Sequence, residues 1–233
     1  MNILLTGASR GIGAATLRLL ERDEHRVAGH STRGGEGLLA ADLSEPGTAT
    51  TLWQAAVDAL GGRIDVLVNN AGIYEAAPVA LEDGEWLSQW QRTLQVNLVA
   101  AGELCRQAVG HFEANGGGRI VNVASRAAFR GDSADHWHYA ASKAGMVGMT
   151  RSIARAYAAK GILAFAVAPG FTVSEMTEEY LAGRGGAAIV ADIPLGRVTS
   201  TDEVAEAIRW LAIDAPAAAT GTIIDLNGAS HVR

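Results

Sequence analysis

The chain has 233 residues, 48% hydrophobic and 19% charged, with 19 Lys and Arg against 25 Asp and Glu. This suits a folded globular chain, and a formal net charge of −6 without a basic cluster argues against nucleic acid or an anionic membrane as partner. Cys105 is the single cysteine, which excludes an intrachain disulfide and a multi-cysteine zinc site; no metal is expected, and the cytoplasm is the expected address. The apolar run at the N-terminus is too short for a signal peptide, and none in the chain is long enough to span a bilayer.

Asn2 to Leu5 reads as a short buried strand. Thr6-Gly7-Ala8-Ser9-Arg10-Gly11-Ile12-Gly13 follows, then a helix from Ala14 to Arg22. Strand, glycine-rich turn and helix together form a dinucleotide-binding opening. One glycine permits the tight turn, one lets a pyrophosphate approach the backbone, and one lets helix pack on strand. The helix N-terminus offers its unpaired N–H groups to phosphate.

Val27 to Gly29 reads as the second strand, with His30-Ser31-Thr32-Arg33 at its tip. That tip lacks the acid that an NAD site places on the ribose 2′-hydroxyl. Arg33, assisted by Arg10, could pair with a 2′-phosphate. NADP(H) is therefore expected over NAD(H). The other reading makes Arg33 a solvated loop charge in an enzyme that accepts both cofactors. Gly34 to Gly37 leads almost directly into a third strand, Leu38 to Ala41. Asp42, at its end, suits either the adenine amino group or a helix cap or turn. Thr48 to Leu60 reads as a helix.

Ile64 to Val68 is a fourth strand, running into Asn69-Asn70-Ala71-Gly72. Small residues there leave room for a cofactor above the sheet. Tyr74 to Glu82 is a loop containing Pro78. Trp86 to Phe112 reads as one long helix ended by Gly116-Gly117-Gly118, with Cys105 packed on it as a small apolar residue. Asn97 is either a core hydrogen bonder or a residue that opens the helix to hold a water. Arg119 to Ala124 is the fifth strand, and Ser125 stands at its carboxyl end, facing the ligand crevice. Ser125 is placed to donate to a substrate carbonyl. It lacks a Gly-x-Ser-x-Gly elbow and is not read as an acyl nucleophile.

The loop Arg126 to His138, with Phe129, Arg130, Asp132, His136, Trp137 and His138, reads as a pocket wall. The next helix runs from Tyr139 to Lys160 and sets Tyr139 and Lys143 one turn apart on one face. An ammonium beside a phenol favours phenolate and lowers a pKa that is ordinarily about 10. Such a tyrosine can exchange a proton with a carbinol oxygen. Lys143 and Lys160 are the only lysines among 19 cationic residues, and a compact, mobile charge suits that task better than a planar fork. Alternation of strands and helices predicts one α/β domain over 1–233, a Rossmann-type doubly wound parallel sheet flanked by helices.

These motifs, in this order and along nearly the whole chain, resemble the short-chain dehydrogenase/reductase family. They are Thr6-Gly-x-x-x-Gly-x-Gly13, Asn69-Asn-Ala-Gly72, Asn97, Ser125, Tyr139-x-x-x-Lys143, and Pro169-Gly170 after the sixth strand. The resemblance implies that Tyr139 is the general acid/base and that Lys143 binds the nicotinamide ribose and lowers the tyrosine pKa. Ser125 would polarise the substrate carbonyl, and Asn97 would hold a water relaying protons to Lys143. It further implies a cofactor site of Gly7, Ser9, Arg10, Gly11, Ile12, Gly13, Arg33, Asp42, Leu43, Asn69, Ala71, Gly72, Tyr139, Lys143, Pro169, Gly170, Thr172 and Ser174. A substrate lid is implied at about 175–192, carrying Gly183, Gly185 and Gly186, and a homotetramer is implied through the helices bearing Asn97 and Tyr139.

The pattern is most similar to 3-oxoacyl-[acyl-carrier-protein] reductases. An acyl carrier protein is thus a candidate partner, although Glu113-Ala-Asn-Gly-Gly-Gly ahead of the fifth strand lacks basic residues and leaves Lys160 as the remaining contact. Arg126, Arg130 and the His136–His138 segment suit instead a polar or anionic small ketone, a sugar or a hydroxy acid. Three departures from the family are noted: Phe165 where Asn is frequent, no full helix after the second strand, and a slightly longer Ser125–Tyr139 spacing. The rival from another class is a catalytically silent dinucleotide sensor or scaffold.

Overall fold

Strands buried on both faces read as continuous apolar runs, and the pleat sends alternate side chains to opposite sides. In the computed structural model, which describes residues 1–172 and 184–233, this alternation divides the core. Ile3, Leu5, Val66, Val68, Val121, Val123, Phe165 and Val167 face one side. Leu4, Leu67, Ile120 and Ala164 face the other.

The strands are β1 (Asn2–Leu5), β2 (Arg26–Ser31), β3 (Leu38–Ala40), β4 (Val66–Asn69), β5 (Gly118–Val123), β6 (Ile162–Pro169) and β7 (Ile223–Leu226). They form one seven-stranded sheet in the order β3-β2-β1-β4-β5-β6-β7, every neighbour parallel. The order reverses between β1 and β4, which opens a crevice at their carboxyl ends.

The helices are α1 (Gly11–Arg22), α2 (Thr48–Ala59), α3 (Asp83–Leu94), α4 (Ala100–Ala114), α5 (Ala127–Arg130), α6 (Trp137–Tyr157), α7 (Arg184–Ala191) and α8 (Thr201–Ile213). Helices α1 and α8 cover the first face through Leu20, Val204, Ile208 and Leu211. Helices α2, α4 and α6 cover the second through Leu52, Leu104 and Ile153. Each fully buried side chain of this size contributes about 1.5–3 kcal/mol. Phe165 is fully buried, so the departure from Asn is absorbed as core packing.

The start of α8 follows from a capping box. Ser200 Oγ accepts from the Glu203 N–H at 3.2 Å, and the Glu203 carboxylate accepts from the Ser200 N–H at 2.8 Å. Other boundaries differ from expectation. Strand β2 continues through His30 and Ser31. The expected helix over 86–112 is three pieces: α3, a π-helical turn at Gln95–Val99, and α4. The expected loop over 126–138 contains α5, and its last two residues begin α6. Among the described residues no helix lies between β2 and β3, and none is long and apolar enough to cross a membrane.

Candidate active site

A cleft of about 780 Å³ lies over the carboxyl ends of the strands at this switch point. Its floor is the turn from β1 into α1. Gly7 holds φ +68°, the left-handed region that disfavours a side chain. A Cβ on Gly13 would stand 1.9 Å from the Gly7 carbonyl oxygen, so only glycine lets α1 pack this closely. The Asn70 side-chain amide donates to the carbonyls of Thr6 and Gly7, each at 2.9 Å, and Thr6 Oγ1 accepts from the N–H groups of Asn70 and Ala71, each at 3.0 Å. The buried His30 ring ties the floor to β3. Its Nδ1 accepts from the Gly7 N–H at 3.3 Å, and its Nε2 donates to the Ala41 carbonyl at 2.9 Å. Accepting on Nδ1 leaves the ring proton on Nε2.

No side chain caps α1, and its first turn carries no acid. The cleft at that point is lined by Gly7, Ser9, Arg10, Gly11, Ile12 and Gly13, and beyond them by Ser31, Thr32, Asp42 and Leu43. Backbone N–H groups, a positive helix end, a guanidinium and the hydroxyls of Ser9 and Thr32 are the donor set that a phosphorylated dinucleotide requires, while the Ser31 hydroxyl donates to the Gly34 carbonyl at 2.6 Å. The residues present therefore fit such a cofactor.

Arg33 is exposed and outside the lining. Because β2 runs on through Ser31, that residue and Thr32 occupy the tip that Arg33 was expected to hold. Asp42 lines the cleft and also serves its turn: its Oδ1 accepts from the Ser44 N–H at 2.9 Å and hydroxyl at 2.7 Å, which holds the carboxyl below its usual range.

At the other end Ser125, Tyr139 and Lys143 share one wall. A hydrogen bond from Ser125 favours the Tyr139 phenolate, but burial outweighs it and pushes the phenol up to about 12. This reverses the lowering expected from Lys143, whose Nζ lies 5.8 Å from the Tyr139 ring centroid and donates to the Val123 carbonyl at 2.8 Å. Burial alone brings the ammonium of Lys143 down to about 8. Tyr74 completes the wall. It packs edge-on against Tyr139 at 4.8 Å, stacks on His136 at 3.9 Å, and donates to Asp132 at 3.0 Å.

Asn97 sits in the π-helical turn, fully buried behind the cleft. Its Oδ1 accepts from the Ile73 N–H at 2.8 Å, and its Nδ2 donates to the Ile73 carbonyl at 2.9 Å and to Ser142 Oγ at 3.3 Å. Among the described residues no cluster of His, Cys, Asp and Glu could hold a metal ion.

A family model described as "Enoyl-(Acyl carrier protein) reductase" matches residues 7–231. The chain belongs to the short-chain dehydrogenase/reductase family of oxidoreductases. It is 36% identical to cis-4-hydroxycyclohexanecarboxylate dehydrogenase of Sinomonas cyclohexanicum, over 97% of this chain and 94% of that one. It is 33% identical to a 3-oxoacyl-[acyl-carrier-protein] reductase of Vibrio cholerae, over 98% and 96%. In structure it is similar to a Beutenbergia cavernae protein named as a candidate NAD(P)-dependent gluconate 5-dehydrogenase and crystallised with NADP at low occupancy. The TM-score is 0.86 at 33% identity, covering 97% of this chain and 94% of that one.

Within this short-chain dehydrogenase/reductase frame, the expected site residues separate into groups. Ala71, Gly72, Pro169, Gly170 and Thr172 line the cleft with the residues already named. Asn69 lies beneath it, donating to Asn122 Oδ1 at 2.9 Å and to Cys105 Sγ at 3.3 Å. Cys105 is buried, which raises its thiol to about 12. Ser174 and residues 175–183 of the expected lid lie outside the described residues. Of the expected wall, Arg126, Arg130 and Asp132 line the cleft; Phe129, His136, Trp137 and His138 do not. His138 instead points into α6's packing against Trp90, ring centroids 5.7 Å apart.

Sequence reasoning missed His30, Asn70, Thr6 and Tyr74. An amide and a hydroxyl flanking glycines at strand ends could have signalled loop ties for Asn70 and Thr6. Nothing local distinguishes His30 or Tyr74, whose partners are distant in sequence.

Proposed function

We propose that this chain is an NADP(H)-dependent oxidoreductase interconverting a ketone and a secondary alcohol. The observation that carries the reading is one continuous cleft with Ser125, Tyr139 and Lys143 at one end and the uncapped α1 N-terminus with Arg10, Ser31 and Thr32 at the other. The nicotinamide cofactor supplies or accepts the hydride when bound. The glycine turn and α1 hold its pyrophosphate. Arg10 and Thr32 hold the 2′-phosphate, with NAD(H) as the alternative where that phosphate is absent. Asp42 and Leu43 flank adenine, and Pro169, Gly170 and Thr172 border the nicotinamide. The NADP bound to the Beutenbergia cavernae relative supports this choice.

Lys143 donates to the nicotinamide ribose. Ser125 donates to the substrate oxygen and so draws charge toward it. In reduction the carbonyl carbon receives the hydride and the oxygen receives the Tyr139 proton; in oxidation Tyr139 takes that proton back. Asn97 acts as a positioning residue, fixing Ile73 beside the catalytic wall; the water relay would run from there to Lys143.

The substrate is a small carbonyl or alcohol. A 3-oxoacyl thioester on a carrier protein is the second reading, favoured by the Vibrio cholerae relative. Against it, the Lys160 ammonium already pairs with Glu113, which removes the free charge a carrier phosphate would need. A homotetramer is proposed from exposed Leu87, Val99 and Trp137 along α3, the π-helical turn and the start of α6.

The test is NADPH oxidation across a panel of small ketones and one short 3-oxoacyl thioester, with Tyr139→Phe alongside. Turnover by the wild type, reduced at least about 10²-fold in Tyr139→Phe with NADPH still bound, is expected. NADPH binding without turnover of any carbonyl would turn the reading to a dinucleotide sensor.

A further inference from the structure

Arg126 follows Ser125 directly and lines the same cleft, yet only 9% of its surface is exposed. A buried guanidinium is ordinarily matched by a carboxylate of its own. Here the match is incomplete. The ion pair available to it among the described residues is Asp192, at 4.0 Å. Asp192 is exposed and belongs more closely to Arg130, at 2.8 Å. Two guanidinium groups thus share one carboxylate at the rim of the cleft, close to Arg130 and at the limit of an ion pair from Arg126.

Among the described residues, the remaining contacts of Arg126 are neutral. Its Nη1 donates to Ser230 Oγ, and its guanidinium lies over the Phe171 ring at 4.9 Å. These contacts hold the fork rigid without neutralising it. Asp132 also lines the cleft, and its charge acts on Arg126 without an ion pair within 4.0 Å; its Oδ1 accepts from the Tyr74 hydroxyl at 3.0 Å and the Ser133 N–H at 2.8 Å. Arg92, the other guanidinium lining the cleft besides Arg10, is paired with Glu75.

We propose that the substrate carries a carboxylate and that Arg126, assisted by Arg130, holds it beside Ser125. This rests on the reading of the cleft as a carbonyl-reducing site. A planar fork presents parallel donors to a carboxylate. Because Arg126 is the immediate neighbour of Ser125, a carboxylate held there fixes where the carbonyl of a small oxo acid meets the Ser125 hydroxyl. Arg126 is then a specificity-determining residue, and an uncharged ketone would leave its charge unmatched.

The experiment measures binding of 4-oxocyclohexanecarboxylate and of its neutral carboxamide to the NADPH-loaded chain by calorimetry. Wild type, Arg126→Met and Arg126→Lys are compared, and each is checked for NADPH binding. The wild type is expected to bind the carboxylate about 10- to 100-fold tighter than the carboxamide. Arg126→Met should erase that ratio, and Arg126→Lys, which keeps charge but loses the fork, should retain part of it. Equal Kd values in the wild type, absence of binding by both, or an unchanged ratio in Arg126→Met would overturn the proposal. If Arg126→Met fails to bind NADPH, the ratio in Arg126→Lys decides, and an undiminished ratio there counts against the fork.

Turnover measured in parallel separates the two readings. Equal reduction of acid and amide would refute the anion site and keep the oxidoreductase. Carboxylate selectivity without reduction of any carbonyl would keep the anion site and refute the oxidoreductase.

Discussion

Lys143→Met should make the cofactor-free chain more stable while removing its activity. Burial brings the Lys143 ammonium from an ordinary 10.5 to about 8, a difference worth about 3 kcal/mol against the charged form in the folded state. Methionine is of similar length and carries no charge to desolvate. The offset is the bond from Nζ to the Val123 carbonyl, 2.8 Å long, whose loss costs about 1 kcal/mol. The net gain at neutral pH is about 2 kcal/mol, or a Tm higher by about 4–8 °C for a chain of this size.

The sign of the pH dependence follows from proton counting. Below about 8 the lysine is charged in both states, and the folded state carries the full burial cost. Between about 8 and 10.5 the unfolded chain still holds a proton that the folded chain has released, so wild-type stability rises with pH. The advantage of Lys143→Met therefore shrinks over that interval, by about 2 kcal/mol near pH ~9.5. Urea unfolding of both proteins at several pH values gives the comparison directly. A variant less stable than wild type at neutral pH, or an advantage independent of pH, would refute the reasoning.

Other perturbations read other parts of the cleft. Ser125→Ala removes the hydrogen bond that opposes burial at Tyr139. Since Tyr139 must be deprotonated to act as base, the acid limb of the pH–rate profile for alcohol oxidation should move to higher pH, by about one pH unit or less; a stationary limb would deny the coupling. Arg10→Ala should raise the Kd for NADPH about 10- to 100-fold with little effect on NADH, whereas Arg33→Ala should leave both within about twofold. Comparable losses from the two variants would return Arg33 to the phosphate site. Gly13→Ala puts a methyl 1.9 Å from the Gly7 oxygen and 2.6 Å from Asn70 Nδ2. Backbone cannot yield as a flexible side chain does, so a loss of about 1–3 kcal/mol or more is expected in denaturant unfolding.

What was legible in the sequence is what neighbouring residues decide. The strand, glycine turn and helix at the start of the chain declare themselves by spacing. Asn97 reads as either a core hydrogen bonder or a residue that opens its helix; it bonds both backbone groups of Ile73 in the core and sits in the π-helical turn at Gln95–Val99. The misreadings arise where distant partners decide. β2 continues past Gly29 because His30 and Ser31 pair with Leu39 and Ala40 of β3, and with those two residues added to the strand Arg33 lies exposed outside the cleft lining. Tyr74 does lie in a loop, and what the sequence does not reveal is its packing against His136 and Tyr139, more than 60 residues further along the chain. The direction of the Tyr139 shift was misjudged because helical spacing reveals the ammonium but not the burial that outweighs it.

The segment Asn69 to Gly72 shows how one motif divides structural from chemical work. Asn69 turns inward to Asn122 and Cys105, so it fastens β4 to β5 and α4 beneath the cleft. Asn70 bonds the carbonyls of Thr6 and Gly7 and so shapes the glycine turn from the cleft lining. Gly72 contributes by what it lacks. A Cβ there would stand 3.3 Å from Asn97 Oδ1 and 3.5 Å from Lys143 Nζ, so the missing side chain lets the π-helical turn and the buried amine close on the strand end together. A buried charge needs polar partners placed to meet it. Asn97 bonds both backbone groups of Ile73, the residue next to that glycine. The Lys143 ammonium itself donates to the Val123 carbonyl at 2.8 Å, so the wall that carries Tyr139 and Lys143 is held by bonds to the strand ends behind it.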